Sequence, residues 1–300
     1  MTNSDHGGGR SAADGSGHGG GASNLALRVV SAAVLAPVVL VITDVGGWYF
    51  LALCAFAAGG ILWEWTSLVA RGADPRILVP GWAALAAGSV LAGLDLPGAA
   101  FGVIVIGSLV AGLAAAIRRP AGNRLSALPP AWGAGGVVYA GMALLGPALL
   151  RRDPYFGLTA LLFLFATVWI TDIFAFLCGR AIGGPPLWRR VSPNKTWAGA
   201  IGGLVGGVAA GVVVAYTIGV GKLGMVGVIA LVLSVLAQAG DLFESAVKRR
   251  FGAKDASHLI PGHGGLMDRL DGFMVAAFAA LLLGILRQGT GTPARGFLVW

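Results

Sequence analysis

Charge is scarce in this chain. Asp, Glu, Lys and Arg make up 11% of its 300 residues, where a soluble domain carries about a quarter. That deficit excludes a protein whose whole surface faces water. Cysteine is almost missing as well. Cys54 and Cys178 are the two in the chain and fall in separate apolar runs, so a disulfide framework is excluded and both read as small packing residues. The GxxxxGK[ST] order of a Walker loop does not occur. No internal repeat is found.

What the chain has is apolar length. Hydrophobic residues reach 56%, and runs of roughly 20 residues recur, the length a helix needs to cross a bilayer. The fold class is therefore all-α, a polytopic integral membrane helical bundle. Nine spans are expected, at 28–43, 48–69, 77–94, 98–117, 131–150, 156–178, 197–219, 223–247 and 270–286. The first is short and Pro80 interrupts the third, so eight is the alternative count. Residues 1–25 form a Gly/Ser-rich tail too poor in apolar groups to fold alone. His6 and His18 lie in it as solvated side chains. No signal-peptide layout is convincing there, so the first apolar run should stay in the mature protein. Residues 26–300 read as a single transmembrane catalytic domain.

The net charge of +8 does not imply nucleic acid, because the cations are not gathered on a soluble domain. With the N-terminus cytoplasmic, 16 of the 21 Lys and Arg residues fall in cytoplasmic segments, as the positive-inside bias requires. Both large polar loops, 179–196 and 248–269, then face the cytoplasm.

Acidic residues inside apolar runs are expensive and so mark candidate sites. There are four: Glu64, Asp172, Asp241 and Glu244. Asp241, Glu244, Ser245 and Lys248 follow at i, i+3, i+4 and i+7, along one helical face. Asp268 and Asp271 repeat that spacing where the last span begins. Two helix ends thus offer carboxylates to one point, with Lys248, Arg249, Arg250, Lys254 and Arg269 around them. Carboxylates for a hard cation and cations for phosphates are what phosphoryl or nucleotidyl transfer requires. The turn PGHGG at 261–265 offers amides that approach an anion closely. His258 and His263 read as phosphate contacts or scaffolding, since no further thiolate or imidazole stands at zinc spacing. In SPNKTWAG, residues 192–199, Ser192 and Pro193 suit a helix start, with Lys195 supplying charge and Thr196 a hydroxyl.

These stretches resemble the phosphatidate cytidylyltransferase (CDP-diacylglycerol synthase) family. Its C-terminal pattern is met by Ser245, Val247, Lys248-Arg249, Lys254-Asp255, Pro261, His263-Gly264-Gly265 and Asp268-Arg269-Leu270-Asp271. SPNKTWAG and the lead-in GDLFES (240–245) also match, so the resemblance spans about 165–275. Glu64, between two tryptophans, has a familiar setting. Three positions depart from the family pattern. Asp172-Ile173-Phe174-Ala175-Phe176 lacks a tyrosine common in relatives, GGPPLWRR moves cations to Arg189 and Arg190, and Ala198 replaces a Glu or Gln.

The resemblance implies transfer of a cytidylyl group from CTP to phosphatidate, in a homodimer set in the lipid bilayer. It also implies Mg²⁺ held by Asp241 and Asp268 with Glu244, a second, monovalent cation such as K⁺ being left open. Catalytic roles are expected for Asp241, Asp268, Lys248, Arg249 and Asp271. Substrate contacts are expected from Ser192, Asn194, Lys195, Thr196, Ser245, Lys254, Asp255, His263, Gly264, Gly265, Arg269 and Asp172. A CTP-using lipid kinase is the nearest rival and an ion transporter a more distant one.

Overall fold

Proline and glycine punctuate the helices. The computed structural model describes residues 33–117, 128–220, 222–257, 259 and 264–300; the tail at 1–25, His258 and His263 lie outside them. Among the described residues a short apolar helix, α1 (Ala33–Val45), precedes eight helices long and apolar enough to span a membrane, the alternative count and not the nine expected. These are α2 (Gly47–Val69), α3 (Pro75–Gly93), α4 (Pro97–Ala116), α5 (Pro130–Arg151), α6 (Gly157–Ile182), α7 (Trp197–Thr217), α8 (Leu223–Arg250) and α9 (Met267–Gln288). Prolines open α3, α4 and α5, where their missing N–H costs nothing. Asp74 caps α3 by accepting from the Arg76 amide at 3.1 Å. Pro80 lies inside α3 and does not end it.

The bundle is layered around α5, the most enclosed of the spans, which touches α2, α3, α4, α6 and α9. Outward faces stay apolar. Ile106, Leu109, Val110 and Leu113 form an exposed stripe on α4 at helical spacing, the surface lipid chains would cover. Helix pairs close through small residues, as membrane bundles do in place of a hydrophobic drive. At Gly203 of α7 an added Cβ would stand 2.8 Å from the Thr171 carbonyl of α6. One turn on, at Gly207, it would collide with the Thr171 hydroxyl, which is itself bonded to Ser234 Oγ of α8 at 2.7 Å.

Two features were not foreseen. Residues 186–196 form an antiparallel hairpin, β1 (Pro186–Trp188) with β2 (Ser192–Thr196). The helix start expected at Ser192-Pro193 is thereby corrected. Ser192 pairs with Trp188 and Thr196 with Pro186, and it is Thr196 that caps α7, its Oγ1 accepting from the Gly199 amide at 3.1 Å. A short helix, α10 (Pro293–Leu298), closes the chain. It is fixed by Arg287, whose guanidinium donates to the Gly296 and Val299 carbonyls and covers the Trp300 ring.

Overpacking at the α6–α7 seam should be measurable. Gly207→Ala is expected to destabilise the detergent-solubilised protein by about 1–3 kcal/mol, read as a lower unfolding temperature. Gly98→Ala, where a Cβ meets nothing within 4 Å, should leave it unchanged.

Candidate active site

The site begins with a crossing that has no room for side chains. A Cβ at Gly240 of α8 would lie 2.7 Å from the Asp271 carbonyl of α9, and one at Gly272 of α9 would lie 2.9 Å from the Ala237 carbonyl of α8. The two backbones touch at these glycines. Asp241 and Asp271, each adjacent to one of them, therefore share a single space. Glu244, one turn along α8, completes a trio in which a carboxylate oxygen from each residue lies within 4.8 Å of the others. Helix α8 continues to Arg250, so Asp241 is set back by ~14 Å and Glu244 by ~9 Å from the end of that helix.

Lysines brace the trio from two sides. Lys195 of β2 forms an ion pair with Asp241. Lys248 reaches Glu244 at 2.8 Å and Asp268 at 2.6 Å, so one ammonium is shared by two carboxylates from different helices. Asp268 is more heavily engaged than its expected role as a metal ligand beside Asp241 suggests. Its Oδ2 also accepts from the Gly265 amide at 2.9 Å and the Ala256 amide at 3.2 Å. Three donors converge on it, and the trio within 4.8 Å contains Asp271 instead.

Glu64 lies fully buried on α2. A buried carboxylate needs strong partners, and here they are the orphan amides at the start of α9. Oε1 accepts from Leu266 N at 2.8 Å and from the Ser257 hydroxyl, and Oε2 accepts from Met267 N at 2.6 Å. Negative charge at a helix N-terminus is also favoured by the dipole. Gly264 and Gly265 make the approach possible. Gly264 has φ 87°, a conformation natural to glycine, and a Cβ on Gly265 would sit 3.0 Å from oxygens of both Glu64 and Asp268. The amide of the glycine turn therefore meets an anion, as its composition suggested, but the anion is the protein's own.

Other expected residues fall around this core. Asp172, on an accessible face of α6, lies in electrostatic reach of Asp241, Lys195 and Arg269. Arg249 donates to the Val191 and Ala253 carbonyls, each at 3.4 Å, tying the hairpin to the end of α8. Lys254 and Asp255 are exposed on the loop after α8, Asn194 is exposed on β2, and Ser192 and Ser245 are half-buried. Sequence reasoning flagged Glu64 as a costly intramembrane acid without finding its partners. It missed Tyr139 of α5, buried between Trp65 and Phe243 near the acidic centre.

The donors fit a hard divalent cation. All are carboxylate oxygens, the ligand type such ions choose. Two oxygens each ~2.1 Å from a shared ion stand at most ~4.2 Å apart, so the trio needs only a small contraction. The Glu244 carboxyl is buried against that of Asp268, and its Oε1 receives no protein N–H among the described residues.

Fold and site define a multi-pass membrane protein with an acidic, lysine-braced centre suited to phosphate substrates. Comparison with known proteins makes this specific. The model of the cytidylyltransferase family matches residues 26–286. A phosphatidate cytidylyltransferase of Brucella suis biovar 1 is 43% identical over 277 residues, covering 92% of this chain and 98% of that protein. One from Brucella abortus biovar 1 is 44% identical over 266 residues, 88% of this chain and 94% of its own length. One from Staphylococcus haemolyticus is 38% identical over 165 residues, 55% of this chain and 61% of its own. The chain belongs to the phosphatidate cytidylyltransferase family and is an enzyme of the nucleotidyltransferase class.

Glu64 gives a direct test of this framework. Glu64→Ala leaves three donors without their acceptor and should cost on the order of 3 kcal/mol, whereas Glu64→Gln keeps an oxygen and should cost less. Thermal unfolding in detergent ranks them. Hydrogen exchange at the Leu266 and Met267 amides should quicken most in the alanine variant.

Proposed function

We propose that the chain transfers the cytidylyl group of CTP to phosphatidate, giving CDP-diacylglycerol and pyrophosphate for phospholipid synthesis. One observation carries the reading: three carboxylates within 4.8 Å of one another, flanked by Lys195 and Lys248, at the crossing that bears the family's motif. Asp241, Glu244, Asp268 and Asp271 together face two ammoniums. When all are ionised, that excess of negative charge is what a divalent cation would offset.

Asp241, Glu244 and Asp271 would hold that cation, which we take to be Mg²⁺, with Asp268 supporting them through the shared Lys248. When bound, the ion supplies positive charge to the phosphates it touches. The protein's own groups position the reactants. Lys195, about one-third exposed, exchanges Asp241 for a phosphate oxygen as substrate arrives. Arg249, Lys254 and Arg269 line the approach for the triphosphate. An oxygen of the lipid phosphate attacks the α-phosphorus of CTP in line. The bond from that phosphorus to the bridging oxygen of the β-phosphate breaks, and pyrophosphate leaves with the electron pair. The attacking oxygen is already anionic near neutral pH, so no side chain need remove a proton. Lys195 and Lys248 neutralise charge on the transferring group.

The cation bias of the loops supports a cytoplasmic site in a bacterial cell membrane, where CTP is available. The enzyme would work as a homodimer, with lipid reaching the centre past the accessible face of α6.

Purified protein with phosphatidate and α-labelled CTP should place label in lipid, and chelation of divalent metal should abolish it. Label in free CDP would instead mark a lipid kinase. Asp241→Asn, Asp268→Asn and Asp271→Asn should fold and lose a hundredfold or more in turnover, the equivalent of about 3 kcal/mol of barrier. Wild-type rates in the Asp241 and Asp271 variants would overturn the assignment.

A further inference from the structure

The stretch GGPPLWRR takes no part in the reaction proposed above, yet it occupies a telling place. It lies in the link between two spans, α6 ending at Ile182 and α7 starting at Trp197, so both ends of the hairpin return to the bilayer. Its height is set by α8. Val191, next to the hairpin turn, is buried, and its carbonyl accepts from Arg249 Nε at 3.4 Å. Arg249 is the last residue but one of that helix. At 28 residues α8 is ~42 Å long, whereas a bilayer measures ~30 Å across its hydrocarbon core and ~40–45 Å with headgroups. The end of α8, and the turn bonded to it, thus fall at headgroup level.

What the turn presents is cationic and aromatic. The Val191 amide donates to the Trp188 carbonyl at 3.1 Å, closing a β-turn whose two central residues are Arg189 and Arg190. Both are exposed, as is Arg180 in the last turn of α6. The segment 179–196 holds these three arginines and Lys195, and no acid. Lys195 finds one in Asp241; among the described residues Arg189 and Arg190 form no ion pair. Beside them Trp188 is 52% exposed, Trp197 54% and Ile182 72%, a heavy cost if water covered them. Tryptophan favours the membrane interface, where its ring meets acyl chains and its N–H meets headgroups. A two-stranded hairpin is also marginal unless something packs on it. Lys195 and Val191 tie it to α8, and its exposed groups match a surface that is apolar below and anionic above. We propose that the hairpin is a docking surface for anionic phospholipid headgroups, with Trp188 set among the lipids and Arg189 and Arg190 on their phosphates. The occupant is bulk anionic lipid and not the reacting lipid, because Asp241 lies ~12 Å further down α8 than Arg249. The proposal needs α6 and α7 to span the bilayer and is independent of the reaction assigned above.

The test reads Trp188 alone, as the fluorescence of wild type minus that of Trp188→Phe. Purified protein is placed, without substrates, in nanodiscs of equimolar phosphatidylglycerol and phosphatidylcholine, with acyl-chain bromine as quencher on one lipid or the other. A basic group at an anionic surface raises local occupancy by about fivefold. Bromine on phosphatidylglycerol should therefore quench Trp188 about twofold more, or better, than bromine on phosphatidylcholine. The difference should vanish in Arg189→Gln/Arg190→Gln with the unfolding temperature near wild type. Equal quenching by the two lipids in wild type overturns the inference, as does a Trp188 that neither lipid quenches. A double variant that keeps the lipid preference and instead binds CTP more weakly gives both cations to the nucleotide and also overturns it. If the double variant does not fold, wild type in ~1 M salt replaces it, where the screening length falls to ~3 Å. The preference should then be lost, and a preference that survives the salt overturns the inference. Lipid preference as expected, in a protein that puts no label from CTP into lipid, would sink the proposed reaction and leave this surface standing.

Discussion

Everything at the centre follows from backbone meeting backbone at Gly240 and Gly272. Helices in lipid gain no hydrophobic energy from associating, so contact must come from close packing. Here it brings each glycine to within 3 Å of a facing carbonyl, measured from where a Cβ would stand. Such proximity fixes the rotation of α8 against α9, and rotation decides which side chains share the gap. Asp241 and Asp271 are adjacent to the glycines, and their carboxylates meet within 4.8 Å.

Among the described residues of the loop between those helices, acids gather most of the amides near α9. Asp268 gathers amides from Ala256 and Gly265, Glu64 gathers Leu266, Met267 and Ser257, and Lys248 stitches Asp268 to Glu244. Each carboxylate is inside or near the apolar bundle and is made tolerable by several donors at once. The result is a bonded frame beside the trio, while Lys195 and Asp172 stand on its accessible side. A centre that must hold several negative groups together without moving gains from such a frame, because preorganised charge need not be rearranged during the reaction.

Much of this was legible in the chain. Hydropathy placed the eight long spans to within a few residues. The first expected run, 28–43, holds among the described residues a short helix, Ala33–Val45, which agrees with the alternative count of eight. The i, i+3, i+4, i+7 spacing put Asp241, Glu244 and Lys248 on one face. Both Asp268 and Asp271 turn toward α8, and periodicity could not say that Asp271 would join Asp241 and Glu244 within 4.8 Å while Asp268 would reach α8 through Lys248. The hairpin at 186–196 escaped notice because Ser-Pro also reads as a helix start. In the folded chain β1 pairs with that stretch and Thr196 does the capping. Tyr139 gave no signal at all: one tyrosine in an apolar run looks like packing until its neighbours are known.

Glu64 has a wider consequence. The motif-bearing residues lie between 165 and 275, yet the amides that open α9 are held by Glu64, 202 and 203 positions upstream. A fragment beginning after α4 would contain every residue of the motif and none of that anchor. The smallest unit able to keep this geometry is thus longer than its recognisable half, and grafting the C-terminal spans onto a foreign scaffold would require that scaffold to supply a buried acid at the same height.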